Sequence, residues 1–259
     1  MGQFINTVIE GKVATITINR APVNALSAEV LGELEVVLDG LAGNPDAKVL
    51  VITGNGPVFV AGADIKEFTQ LSGPEEGKKA TARGQNVFMK IERLGKPVIA
   101  AINGVCLGGG MELAMACHIR ICSDRARLGQ PEINLGIIPG FGGTQRMARL
   151  AGKAKAIEWI LTGDMIAPQD AKAAGLVNHV VPESEVLRQA QGMAKKIAMK
   201  PAVAIAQALK AMTLGPEQLH LDAGMTLESE SFAVCCGSPD MKEGVAAFLE
   251  KRQPKFTDQ

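Results

Sequence analysis

The sequence predicts an α/β fold followed by a helical C-terminal region, and three observations carry the prediction. Up to about residue 143, short apolar runs alternate with amphipathic segments, the pattern that βαβ units leave in a chain. Several runs are apolar at consecutive positions, as strands are in sheets covered on both faces. Beyond residue 143 the periodicity is helical, broken by one strand-like run at 176–181.

Residues 4–9 and 13–18 read as a hairpin joined through Glu10-Gly11. A helix follows Pro22, capped by Ser27, with Val30, Leu31, Leu34, Val37, Leu38 and Leu41 on one face. Gly43 and Pro45 end it, and 48–53 is the next strand. Helical segments at 64–71 and 81–93 lead to a strand at 97–102. Gly108-Gly109-Gly110 opens a helix at 111–117, and 118–122 is again a strand. Pro168, Pro182 and Pro201 mark first helical positions, where a missing N–H costs nothing. Pro216 precedes a long helix that ends near Gly237, and 240–252 forms the last one. The expected division is an α/β core over 1–195 and a helical region over 196–259.

A chain of 259 residues can bury a large core, and 47% hydrophobic content excludes disorder. The 27 basic and 27 acidic residues balance, so no overall field draws the chain to nucleic acid or to an anionic membrane. Eight Phe, one Trp and no Tyr leave few rings for base stacking. No run reaches the ~18 apolar residues of a spanning helix. No cationic stretch followed by an apolar one opens the chain, so a cytoplasmic location is expected. The five cysteines form no CxxC pair and the three histidines lie far apart, so zinc spacing is absent and reduced thiols are expected.

Three segments have chemical content. In Val60-Ala61-Gly62-Ala63-Asp64, the glycine permits a tight strand-to-helix turn, Asp64 can cap the helix, and Ala63 presents its N–H at the turn. In Leu107-Gly108-Gly109-Gly110-Met111-Glu112, free N–H groups gather at a helix N-terminus, where the dipole favours negative charge. Glu112 falls in the first turn beside them. In Gln130-Pro131-Glu132 and the Pro139-Gly140-Phe141-Gly142-Gly143 turn, Pro131 fixes the backbone beside a second acid, and the turn can wall a pocket without bulk. Each segment taken alone also reads as an ordinary capped turn, a packing contact or a surface acid. Neither a Walker A loop, a G-x-G-x-x-G fingerprint nor a G-x-S-x-G elbow is present.

Together these segments resemble the enoyl-CoA hydratase/isomerase, or crotonase, superfamily. The resemblance covers nearly the whole chain. It adds Pro22-Val23-Asn24-Ala25-Leu26-Ser27, Lys96 through Gly104, the run to Arg146, and Lys242 through Arg252 to the segments above. It implies a spiral of ββα units, with C-terminal helices that help form trimers, two of which stack as a hexamer. It implies an acyl-CoA thioester as substrate, with CoA part of that substrate, and neither a metal nor another cofactor. The N–H groups of Ala63 and Gly109 match the family's oxyanion hole, and Ala63-Asp64-Ile65-Lys66 matches its adenine-contacting segment. Ala61, Pro139 and Gly140 are expected to line the substrate site. Glu112 and Glu132 match the hydratase acids. The resemblance implies that Glu132 protonates Cα and that Glu112 orients and deprotonates water. Two close carboxylates resist joint ionisation, so one is expected to hold a proton at rest. Isomerases of the family typically manage with the second acid alone, so retention of both favours hydration over Δ3-Δ2 isomerisation or another acyl-CoA lyase reaction. Phe141 departs from the Ala or Gly common at its position and raises the question of acyl length. An RNA-binding role and a catalytically dead scaffold are the readings from other classes. The charge balance argues against the first, and the intact acids argue against the second.

Overall fold

Gly11 and Lys12 adopt φ of 57° and 64° in the computed structural model, which describes residues 2–259. Two consecutive left-handed residues match the twist of a tight hairpin. They join β1 (Ile5–Glu10) to β2 (Val13–Ile18) in antiparallel register. Every later strand in the main sheet is parallel to its neighbour. The order is β1-β2-β3-β5-β7-β9, with β3 at Val49–Gly54, β5 at Val98–Ile102, β7 at Ile119–Ser123 and β9 at His179–Val181. A second sheet stands beside it, formed by β4 (Val58–Val60), β6 (Val105–Leu107) and β8 (Leu128–Gly129).

The chain therefore advances in turns. Each of β3, β5 and β7 gives one strand to the large sheet, and the next strand joins the small one. Helical structure then returns the chain: α1 (Ala28–Ala42) after β2, α2 (Ile65–Phe68) and α3 (Pro74–Glu92) after β4, and α4 (Gly109–Ala116) after β6. This is the expected spiral of ββα units. The three strands of the small sheet were not legible as separate elements, because runs of two or three residues carry no periodicity.

Burial explains why the large-sheet strands are apolar throughout. On one face Ala14, Ile16, Ile18, Leu50, Ile52, Val98, Ala100 and Ile102 pack against Leu34 and Leu38 of α1 and Phe88 and Ile91 of α3. On the other, Val13, Val49, Val51, Ile99, Ala101 and Ile121 are covered by α8 (Val186–Ala198). That helix presents Val186, Ala190, Ala194 and Ala198 at a spacing of four, and its small residues let it lie close to the strands.

The remaining helices are α5 (Gly143–Ala151), α6 (Lys153–Thr162), α7 (Pro168–Ala173), α9 (Ala202–Leu214), α10 (Leu221–Cys236) and α11 (Pro239–Leu249). Some boundaries differ from expectation. Pro168 is the first residue of α7, but Pro182 and Pro201 stand just outside their helices in extended conformation, as caps. Proline's fixed φ suits both positions, so the sequence signal is good only to a residue. Helix α3 begins at Pro74, well before residue 81, because its exposed first turns carry no apolar stripe to read. Among the described residues no single helix is long and apolar enough to cross a membrane.

Candidate active site

The small sheet fixes where the candidate site residues sit. Its strands run parallel, so their C-terminal ends share one edge, the edge at which open α/β sheets bind ligands. Strand β4 leads into Ala61-Gly62-Ala63, β6 into Gly108-Gly109, and β8 into Gln130-Pro131-Glu132.

Ala63 forms a parallel bridge with Leu26. In it Leu26 N donates to Gly62 O at 2.9 Å, and Asp64 N donates to Leu26 O at 3.0 Å. Both bonds fall on the neighbours of Ala63, so its own N–H faces away from that pairing. Gly62 makes the turn with φ of 125°, a conformation that favours glycine. Asp64 caps α2 by accepting from Lys66 N at 3.1 Å, and accepts from the Arg20 guanidinium at 2.6 Å. That guanidinium holds the Asp64 carboxyl below the usual carboxylate range. Arg20 also donates to Ala25 O, so the segment carrying Ala63 is tied down from both sides.

Gly109 is the first residue of α4, and its cap, Gly108, offers no side chain to the first-turn N–H groups. A Cβ built on Gly109 would stand 3.2 Å from Ala63 N and 3.4 Å from the Phe141 ring. The Ala63 N–H and the positive end of α4 thus meet in one place, where a developing oxyanion would gain most.

The two acids flank this point. Glu112, in the first turn of α4, is only 2% exposed, and its Oε1 accepts from Phe141 N and Gly143 N, both at 2.7 Å. Burial pushes its carboxyl up to about 7, helped by the charge of Glu132 and opposed by the two N–H bonds and by Arg146. Glu132 is half-buried on a single 3-10 turn, Pro131–Leu135, and burial pushes it up to about 7 as well. Gln130 is wholly buried; with its amide nitrogen turned inward it donates to both Glu132 oxygens, at 3.0 and 3.1 Å. A Cβ on Gly108 would lie 2.8 Å from Glu132 Oε1, and one on Gly143 would lie 2.9 Å from Glu112 Oε1. Glycine at these positions lets the backbone approach both carboxylates.

The structure thus brings Ala63, Gly109, Glu112, Glu132 and Phe141 together. Phe141 is 8% exposed and turned inward, its ring edge-on to Phe88 at 5.7 Å and 88°. Pro139 is buried beside Gly143, and Gly140 O accepts from Gln85 of α3 at 2.8 Å. Ala61 precedes the Gly62 turn, half-buried, with its N–H donating to Val23 O. Ile65 and Lys66 are exposed on α2, outside this cluster. Among the described residues no group of three or more His, Cys, Asp or Glu side chains could hold a metal ion.

Sequence reasoning gave no role to Gln130, Arg20 or the Glu92–Arg146 pair. Gln130 directly follows β8 and stands two residues before Glu132, and with β8 too short to read it showed only as a polar residue before a proline. Arg20–Asp64 and Glu92–Arg146 join residues 44 and 54 apart, which no local pattern reveals.

The family described as Enoyl-CoA hydratase/isomerase matches residues 8–259 of the chain. A probable enoyl-CoA hydratase of Bacillus subtilis is 45% identical, over 97% of this chain and 98% of its own. The short-chain-enoyl-CoA hydratase of Clostridium acetobutylicum is 44% identical, over 96% and 97% respectively. Among solved structures, an enoyl-CoA hydratase from Bacillus anthracis superposes with a TM-score of 0.94 at 38% identity, covering 99% of this chain and 100% of that one.

Proposed function

The chain belongs to the enoyl-CoA hydratase/isomerase family, and we propose that it is an enoyl-CoA hydratase that adds water reversibly to trans-2-enoyl-CoA, with Glu112 and Glu132 as the acid/base pair. The observation that carries this reading is the pair itself. Two carboxyls, both raised to about 7, flank the spot where the Ala63 N–H meets the start of α4.

Groups titrating near neutrality suit proton transfer in both directions. In the hydration direction Glu112 is ionised and takes a proton from water as the water oxygen bonds to Cβ. Glu132 is protonated and gives its proton to Cα. Between these events negative charge builds on the thioester oxygen, where the Ala63 and Gly109 N–H groups stabilise it more than they stabilise the neutral carbonyl. The two acids have then exchanged protonation states, and return of one proton resets the site. The reaction needs no change of oxidation state, so we assign it no cofactor beyond the CoA carried by the substrate.

The acyl chain is proposed to be short. The Phe141 ring occupies space beside Gly109, next to the thioester position, and relatives at 43 and 44% identity are a crotonyl-CoA hydratase and a short-chain-enoyl-CoA hydratase. We also propose a trimer or a hexamer in the cytoplasm, built through the C-terminal helices. Their large exposed apolar side chains, among them Phe232 at 70% and Phe248 at 83%, support an assembly that covers them.

Loss of the conjugated-thioester absorbance of crotonyl-CoA tests the central claim. The expected result is rapid decay to 3-hydroxybutyryl-CoA. No turnover with short or medium enoyl-CoAs would overturn it. Turnover of 3-enoyl-CoA in their place would favour the isomerase.

A further inference from the structure

Glu112 does not hold its position through its own contacts alone. The two N–H groups that fix its Oε1 belong to Phe141 and Gly143, in a turn whose central residue, Gly142, has φ of 107°. A turn of glycines is conformationally free unless something outside it restrains it. Gln85 holds Gly140 O at one end of the turn, and Arg146 of α5 holds the segment next to the Glu112 contacts. One arm of its guanidinium donates to Phe141 O at 2.7 Å. The rest forms a two-point pair with Glu92, the last residue of α3, at 2.7 and 2.8 Å. Gly142 completes the fit, since a Cβ there would overlap the guanidinium. The Arg146 side chain is largely covered, and such a planar fork holds a carbonyl and a carboxylate in one fixed geometry.

We propose that Arg146, clamped by Glu92, is a positioning residue for Glu112: it pins the Phe141 carbonyl and so aims the Phe141 and Gly143 N–H groups at the Glu112 carboxylate. The proposal rests on the assignment of Glu112 to the acid/base pair. Arg146 touches no reacting atom in this scheme and acts through the turn. The charged groups facing Glu112 are Glu132 from the 3-10 turn and Arg146 from α5, with Glu92 of α3 behind the guanidinium. Loss of Arg146 removes a nearby positive charge and loosens two N–H bonds to the carboxylate. Both effects favour the protonated form of Glu112, so they act in the same direction.

The test compares Arg146→Gln, Glu92→Gln and Glu112→Gln by steady-state hydration of crotonyl-CoA from pH 5 to 9. For Arg146→Gln, kcat should fall by about tenfold or more with KM changed far less, as expected for a displaced catalytic group. The rising limb of its kcat profile should move to higher pH. Glu92→Gln, a milder change, should move both quantities in the same direction. In a Glu112→Gln background, Arg146→Gln should add almost no further loss. A wild-type kcat and limb in Arg146→Gln would overturn the proposal. So would a loss that is uniform across pH, which general loosening of the fold would give. If Arg146→Gln fails to fold, Glu92→Gln decides by the same criteria. A wild-type rate in Glu112→Gln would instead remove the assignment on which the proposal stands. An inactive Glu112→Gln beside an unaffected Arg146→Gln would sink the positioning role alone.

Discussion

Gly84 and Phe141 are complementary: a Cβ on Gly84 of α3 would stand only 2.3–2.6 Å from three carbons of the Phe141 ring. The glycine is mid-helix, where alanine ordinarily stabilises by roughly 0.5–1 kcal/mol. Overpacking a filled core costs about 1–3 kcal/mol, so the clash should win. Gly84→Ala should lower the unfolding midpoint in thermal denaturation. In a Phe141→Ala background the same change should become neutral or stabilising. An equal loss in both backgrounds would show that the ring is not what Gly84 accommodates.

The same ring carries the acyl-length proposal. Phe141→Ala opens volume beside Gly109. The ratio of kcat/KM for octenoyl-CoA over crotonyl-CoA should rise by about tenfold, the scale at which added methylenes are discriminated in apolar pockets. An unchanged ratio would detach Phe141 from chain length.

Glu112→Gln and Glu132→Gln should each lower kcat by roughly 10²–10⁴. Each keeps the side-chain volume, and the amide oxygen can still accept from Phe141 N and Gly143 N in the first case. Product-CoA binding, measured by calorimetry, should therefore survive. A variant retaining the wild-type rate would lose its assigned role.

Folding stability should carry the signature of the raised acids. Each stands at about 7 in the folded chain, against an ordinary value of 4.5. Between those values the folded state binds more protons than the unfolded one, so stability falls as pH rises from 4.5 to 7. Above 7 the buried charge weighs fully on the fold, by up to about 3 kcal/mol for a shift of this size. Glu112→Gln removes that cost, and should raise the denaturant midpoint at pH 8 more than at pH 5. The reverse order would contradict burial as the cause.

Gly109→Ala puts a methyl group 3.2 Å from Ala63 N, into the space assigned to the thioester oxygen. Its effect should resemble removal of an oxyanion donor, a loss of roughly 10²–10³ in kcat. Circular dichroism should stay unchanged. Wild-type turnover would move the oxyanion site elsewhere.

Much of this could be read in the chain, for identifiable reasons. The stripe Val30, Leu31, Leu34, Val37, Leu38, Leu41 predicted α1 because one face of that helix meets the large sheet. Asp64 announced its cap because capping depends on local geometry, whereas the direction of the Ala63 N–H is set by the bridge to Leu26. Gly108-Gly109-Gly110 announced α4 but not why three glycines are needed. The answer lies across the fold, in Glu132 beside Gly108 and in Val60 O beside Gly110. Strands β4, β6 and β8 were too short to carry a pattern. Glu92 and Arg146 meet only because the end of α3 packs against the start of α5, a fact of tertiary packing.

The parallel small sheet has a consequence for how such a catalyst can diversify. Its β4 and β6 ends deliver main-chain donors, which a side-chain replacement other than proline can obstruct but not delete. The β6 and β8 units deliver the two acids, which one codon each can exchange. On the proposed mechanism, stabilisation of the enolate is thus inherited with the backbone, while the proton chemistry is written separately at Glu112 and at Glu132. A lineage could trade hydration for another fate of the same intermediate and keep the scaffold intact.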